Sequence, residues 1–155
     1  MAIRNIVKEG DEILKKICRP VEKFDDRLRE LVCDMKETLT AANGVGLAAP
    51  QVGILRRLFV MVDENEEMIV CINPEIIKIS GEQEAHEGCL SVPGIWGVTK
   101  RPAKVTLRAF DENGKLFEIT RTGITAVCIC HETDHLNGIL FREHVLSYLE
   151  PDKED

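Results

Sequence analysis

The run His131-Glu132-Thr133-Asp134-His135 sets two imidazoles four residues apart, with a carboxylate directly after the first. On a helix, residues i and i+4 leave the same side one turn apart, so both rings can reach a single metal ion. Glu132 is displaced sideways, within reach of a metal-bound water, which is an arrangement for metal-assisted hydrolysis. Apolar residues surround the run: Val127, Ile129, Leu136, Ile139 and Leu140. Two buried imidazoles without a partner would be costly, and a metal removes that cost. A hydrolytic site takes three protein ligands and keeps one position open. Downstream of His135 the chain offers Glu143, His144 and Glu150, none of them in a recognised metallopeptidase continuation. The third ligand is therefore sought upstream.

Two upstream segments stand out. Gly44-Val45-Gly46-Leu47-Ala48-Ala49-Pro50-Gln51-Val52-Gly53 combines glycines, which permit close backbone approach, with a single side-chain amide, Gln51. Taken alone it reads as a helix stop followed by a turn. Glu87-Gly88-Cys89-Leu90-Ser91-Val92-Pro93-Gly94 sets one cysteine in a short strand-like stretch, which taken alone reads as core packing.

Together and in order, GVGLAAPQ, EGCLS and HETDH closely resemble the three signature motifs of the peptide deformylases, and the resemblance runs from about residue 3 to about residue 145. By position, it implies that Cys89, His131 and His135 are the metal ligands and that Glu132 is the catalytic carboxylate. It also implies that Gln51 and the backbone N–H of Leu90 stabilise an oxyanion. The implied activity is removal of the formyl group from the N-terminal methionine of new polypeptides, with Fe(II). One Cys and two His suit Zn(II), Ni(II) or Co(II) equally well. The implied partners are N-formyl-methionyl nascent peptides, with transient ribosome contact, on a monomer in a bacterial cytoplasm or an organelle.

An extended peptide can pair with the backbones of Gly44–Gly46 and Gly88 as an added strand. Its methionine needs an apolar pocket. Val45, Val127 and Cys128 can line one, since Val127 and Cys128 sit one turn before His131. The chain departs from the family pattern at Cys130, where Gln is common, and at His86, where an acid is common. Cys130 lies about 100° around the helix from His131 and reads as a non-ligand, whereas Cys128 shares the histidine face and reads as a pocket wall. Trp96 and Arg101 read equally as a border of the cleft or as an exposed aromatic and a surface charge. Two rival readings are a peptidase that shares only the histidine motif and a non-catalytic metal-binding or redox-sensing protein.

The elements that must position these groups are legible in outline. Residues 11–17 suggest a short helix capped by Asp11, with Ile13, Leu14 and Ile17 as its apolar side and Pro20 as its stop. Leu28, Leu31, Val32, Met35, Leu39 and Ala42 recur at helical spacing over about 26–42, with Asp25 or Asp26 as cap. Residues 58–62 and 68–72 flank an acidic turn as a hairpin would, residues 75–79 are strand-like, and 104–110 alternate cleanly before the turn Asp111–Gly114. Leu116, Phe117 and Ile119 continue beyond that turn. A helix over about 123–137 carries the histidines, and an amphipathic segment spans about 142–149, before Pro151. Strands without alternating helices predict an α+β fold: antiparallel or mixed sheets packed around the histidine helix, plus an N-terminal helix.

The 155 residues suggest one domain, residues 1–155. With 44% apolar and 30% charged residues the chain is globular in composition. Its net charge of −7 argues against a sustained basic surface for DNA. No apolar run reaches the roughly 18 residues of a membrane span, and the first ten residues lack an apolar signal core, so the chain reads as intracellular. The six cysteines then read as thiols.

Overall fold

The computed structural model describes residues 2–149. Helix α1 is Asp26–Ala41, and the Asp25 carboxylate caps it by accepting the Leu28 N–H at 3.0 Å. Leu28, Leu31, Val32, Met35 and Leu39 form its buried stripe, as their spacing predicts. The expected helix at 11–17 is only a single 3-10 turn, Glu12–Lys15. One turn can bury one face position, so Leu14 is buried while Ile17 is 70% exposed, contrary to the expected apolar side. Cys18 turns inward in its place, and its N–H donates to the carbonyl of Leu136 at 2.9 Å.

Strands β1 (Gly46–Ala48), β2 (Leu58–Val62), β3 (Met68–Ser80), β6 (Lys104–Phe110) and β7 (Leu116–Thr122) make a five-stranded sheet in the order β1-β2-β3-β6-β7. Strands β4 (Gln83–Cys89), β5 (Val92–Arg101) and β8 (Val145–Tyr148) make a three-stranded sheet in the order β4-β5-β8. Every pairing of these strands is antiparallel. The fold is α+β.

Strand β2 explains the larger sheet. Its residues Leu58-Phe59-Val60-Met61 are all fully buried. Phe59 and Met61 pack with helix α2 (Gly123–Leu136), while Leu58 and Val60 pack with α1. A strand covered on both faces is apolar throughout, not alternating. Helix α2 has ten of its 14 residues buried, so it runs through the core.

Two differences from the expected elements matter for the site. The stretch read as a helix stop and a turn begins with a strand, β1 from Gly46, before its turn at Ala49–Val52, and the strand-like stretch around Cys89 is a hairpin of β4 and β5 closed by Leu90–Ser91, with Cys89 paired to Val92. Near the end, the expected amphipathic segment divides into a 3-10 turn, Phe141–His144, and strand β8. The available edge of β5 takes the segment as a strand, with Thr99 opposite Val145 and Gly97 opposite Tyr148. Glu150 and Pro151 lie outside the described residues.

Candidate active site

Two elements from distant parts of the sequence deliver the donors. Helix α2 projects His131 and His135 one turn apart, with ring centroids 4.9 Å from each other. The β4–β5 hairpin brings Cys89, whose Sγ lies 3.4 Å from His135 Nε2. The ligand atoms of Cys89, His131 and His135 all fall within 4.8 Å of one another. A thiolate and an imidazole on one tetrahedral ion stand roughly 3.6 Å apart, from bonds of about 2.3 and 2.05 Å, so the donor set fits a metal.

The ring nitrogens support that fit. His131 Nδ1 donates to Glu87 Oε1 at 2.8 Å, which fixes the tautomer with Nε2 as the free donor. Burial pulls His131 down, but Cys89, Glu87 and Glu132 around it outweigh that and push it up to about 10. The anionic surroundings thus favour positive charge at this point, in the form of a proton or a cation. Burial keeps His135 well below the usual imidazole range, in the neutral form a metal needs. Cys128 is not part of the cluster: its Sγ lies 3.7 Å from the carbonyl of Val45. Cys130 is buried in the core under α2.

Glu87 is held in turn. Burial raises its pKa, yet hydrogen bonds from His131, Arg101 and Thr99 prevail and hold it at about 2. Arg101 grips it with Nε at 2.6 Å and Nη2 at 2.9 Å, the two-pronged geometry a guanidinium favours. Arg101 is therefore neither a cleft border nor a surface charge; it is only 5% exposed. Sequence reasoning did not assign Glu87 or Thr99. The signal that could have found Glu87 is an acid two residues before a cysteine in a β-strand, which puts both side chains on one face.

The other groups converge from β1 and the turn that follows it. Gln51 lies in a 3-10 turn, Ala49–Val52. Its Oε1 accepts the Ala48 N–H at 2.9 Å, which orients its Nε2 toward Ser91 Oγ at 3.0 Å and Cys89 Sγ at 3.6 Å. Glu132 is 3% exposed, its Oε1 has no hydrogen-bond partner among the described residues, and burial raises it to about 7. Gly46 is indispensable sterically: a Cβ there would stand 2.5 Å from Glu132 Oε2 and 2.8 Å from Cys128 Sγ.

A cleft of about 410 Å³ opens over these groups. Val45, Gly46, Gly88, Cys89, Leu90, Val127, Cys128, His131 and Glu132 all line it, as does Trp96. Gln51 and His135 are not among its walls. Trp96 lies against Gly88, where a Cβ would meet the indole at 2.9 Å.

A family model for polypeptide deformylase matches residues 3–150. The chain belongs to the polypeptide deformylase family. It is a hydrolase that removes the N-formyl group from the N-terminal methionine of new polypeptides, releasing formate. A peptide deformylase of Acetivibrio thermocellus is 47% identical over 99% of this chain and 89% of its own length. A crystal structure of a peptide deformylase from Legionella pneumophila superposes with a TM-score of 0.89 at 50% identity, over 92% of this chain and 86% of that one. A Met-Ala-Ser-bound peptide deformylase from Acinetobacter baumannii has a TM-score of 0.87 at 35% identity, over 92% of this chain and 98% of that one. Membership in this family makes the chain metal-dependent.

Proposed function

We propose that this chain carries out deformylation as one catalytic domain, with Cys89, His131 and His135 holding a single Fe(II) ion. The observation that carries the reading is the convergence of one thiol and two imidazole donors beside the buried carboxylate of Glu132. Zn(II), Ni(II) or Co(II) can occupy the same donors in isolated protein. When bound, the metal supplies Lewis acidity, lowering the pKa of water and polarising the formyl carbonyl.

The chain's own groups do the rest. Glu132 accepts the proton of the attacking water and passes it to the leaving amine; a carboxyl near 7 can do both at neutral pH. Gln51 Nε2 and the Leu90 N–H donate to the oxygen that gains charge. The substrate backbone lies extended between β1 and β4, each the edge strand of its sheet, and makes strand-like pairs with Gly44–Gly46 and Gly88. Its methionine enters the apolar wall of Val45, Val127 and Cys128. The substrate is the N-formyl-methionyl end of a nascent chain, met by a monomer in a bacterial cytoplasm or an organelle, with brief ribosome contact. No helix among the described residues is long and apolar enough to cross a membrane.

The test uses anaerobically purified protein. Formyl-Met-Ala-Ser should yield formate and intact Met-Ala-Ser, read by mass spectrometry. Acetyl-Met-Ala-Ser should react far more slowly, because one ill-fitting methyl costs about 1–3 kcal/mol. Equal rates on the two peptides would refute the tight fit between the donors and β1.

A further inference from the structure

We propose that His144 is a positioning residue for the metal-binding histidines, acting through Asp134, Arg101 and Glu87; the proposal rests on the metal-site reading above. The side chains form one continuous chain. His144 Nε2 lies 3.2 Å from Asp134 Oδ2. The same carboxylate oxygen accepts from Arg101 Nη1 at 2.8 Å. Arg101 grips Glu87 with its other two nitrogens, and Glu87 accepts from His131 Nδ1 at 2.8 Å. The inner members are sealed, with side chains of Arg101 and Glu87 5% and 3% exposed, whereas Asp134 and His144 are 22% and 41% exposed.

The partition of donors explains why the outer end matters. Arg101 spends Nε and Nη2 on Glu87, so Nη1 depends on Asp134. A buried guanidinium nitrogen left without a partner is penalised, and Arg101 would shift to recover one. Asp134 is on α2 immediately before His135, and two groups from outside the helix meet on its Oδ2: Arg101 from the buried side and His144 from the exposed side. His144 is the hold on the side that faces water. It is fixed by the fold: Val145, the next residue, is paired with Thr99 on β5, the strand that also carries Arg101, and Thr99 itself donates to Glu87. A Cβ on Gly97 would stand 2.6 Å from Val145 Cγ2, so β5 and β8 are in tight contact here. The C-terminal 3-10 turn and β8 thereby brace the carboxylate that orients His131.

The experiment loads wild type, His144→Ala and His144→Gln with Co(II). It measures metal release to excess chelator, the Co(II) visible spectrum and the Tm of each holoprotein. Gln is chosen because its Nε2 can reach Asp134 as the imidazole does. Partners in direct contact with a metal ligand typically change metal affinity 10–100-fold. His144 is further out, so His144→Ala should release metal roughly three- to tenfold faster, with a shifted Co(II) spectrum and a Tm within a few degrees of wild type. His144→Gln should restore both readouts. Wild-type release and spectrum in His144→Ala would overturn the proposal. Equal acceleration in the Ala and Gln variants would overturn it too, since the hydrogen bond would then be irrelevant. A wild-type chain that binds no Co(II) would undo the metal-site reading itself, a failure distinct from either.

Discussion

Glu132 is caught between opposed demands. It must be buried to be poised near neutral pH, and it must keep one oxygen available for chemistry. The fold meets both, since its Oε1 is buried yet has no partner among the described residues. Glu132→Gln preserves shape but cannot carry a proton. It should keep stoichiometric metal by elemental analysis while kcat falls by about 100-fold or more, the usual scale of general acid–base catalysis. Normal turnover in this variant would require another base. Cys89→Ala should behave differently and lose metal as well as activity, because a three-ligand site has no spare donor. If that variant retained full metal, Cys128, on the same helix face as the histidines, would become the suspect ligand.

Among the elements, β1 shows how a short strand can govern catalysis without contributing a reactive side chain. Three residues, Gly46–Ala48, pair with β2, and the first of them, Gly46, borders the cleft. Gly46 is here because Glu132 and Cys128 fill the space where a Cβ would project. Gly46→Ala should therefore displace the Glu132 carboxylate and depress kcat at least tenfold. Metal content should stay unchanged, because the atoms nearest that Cβ position belong to Glu132 and Cys128 rather than to the three donors. A crystal structure of the variant with Glu132 unmoved, together with wild-type kcat, would contradict the argument.

At the scale of the whole molecule, acid is the informative stress. Asp34 lies below the usual carboxylate range because it accepts the Ala2 N–H and pairs with Arg4, tying the N-terminal segment to α1. Glu87, despite burial, is held at about 2. A carboxyl whose folded pKa is depressed leaves the unfolded chain binding more protons as acid is added. Its contribution is complete above the unfolded values, 3.8 for Asp and 4.5 for Glu, and disappears as pH falls through the folded ones. Stability measured by urea unfolding should thus decline from about pH 5 downward. Asp34→Asn should start less stable and lose less between pH 5 and pH 3. Parallel slopes for parent and variant would remove Asp34 from the explanation.

Local spacing determined a good deal. The stripe of α1, the β2–β3 hairpin, the alternation of β6 and the shared face of His131 and His135 all follow from periodicities of 3.6 and 2 that neighbouring residues carry themselves, whereas the choice of Asp25 over Asp26 as the cap came from the structure. The three motifs, read as a resemblance, also named the family. What tertiary structure alone decided is everything made between segments far apart in the chain. Leu90–Ser91, within a stretch that reads as strand-like, became the turn of a hairpin, and Ser91 became a partner of Gln51, because β4 found β5. Residues 145–148 became a strand because β5 offered them an edge. Arg101 left the surface because Glu87 and Asp134, 14 and 33 residues away, converge on it. Such pairings depend on which backbones and charges meet after collapse, and no window of neighbouring residues encodes that meeting.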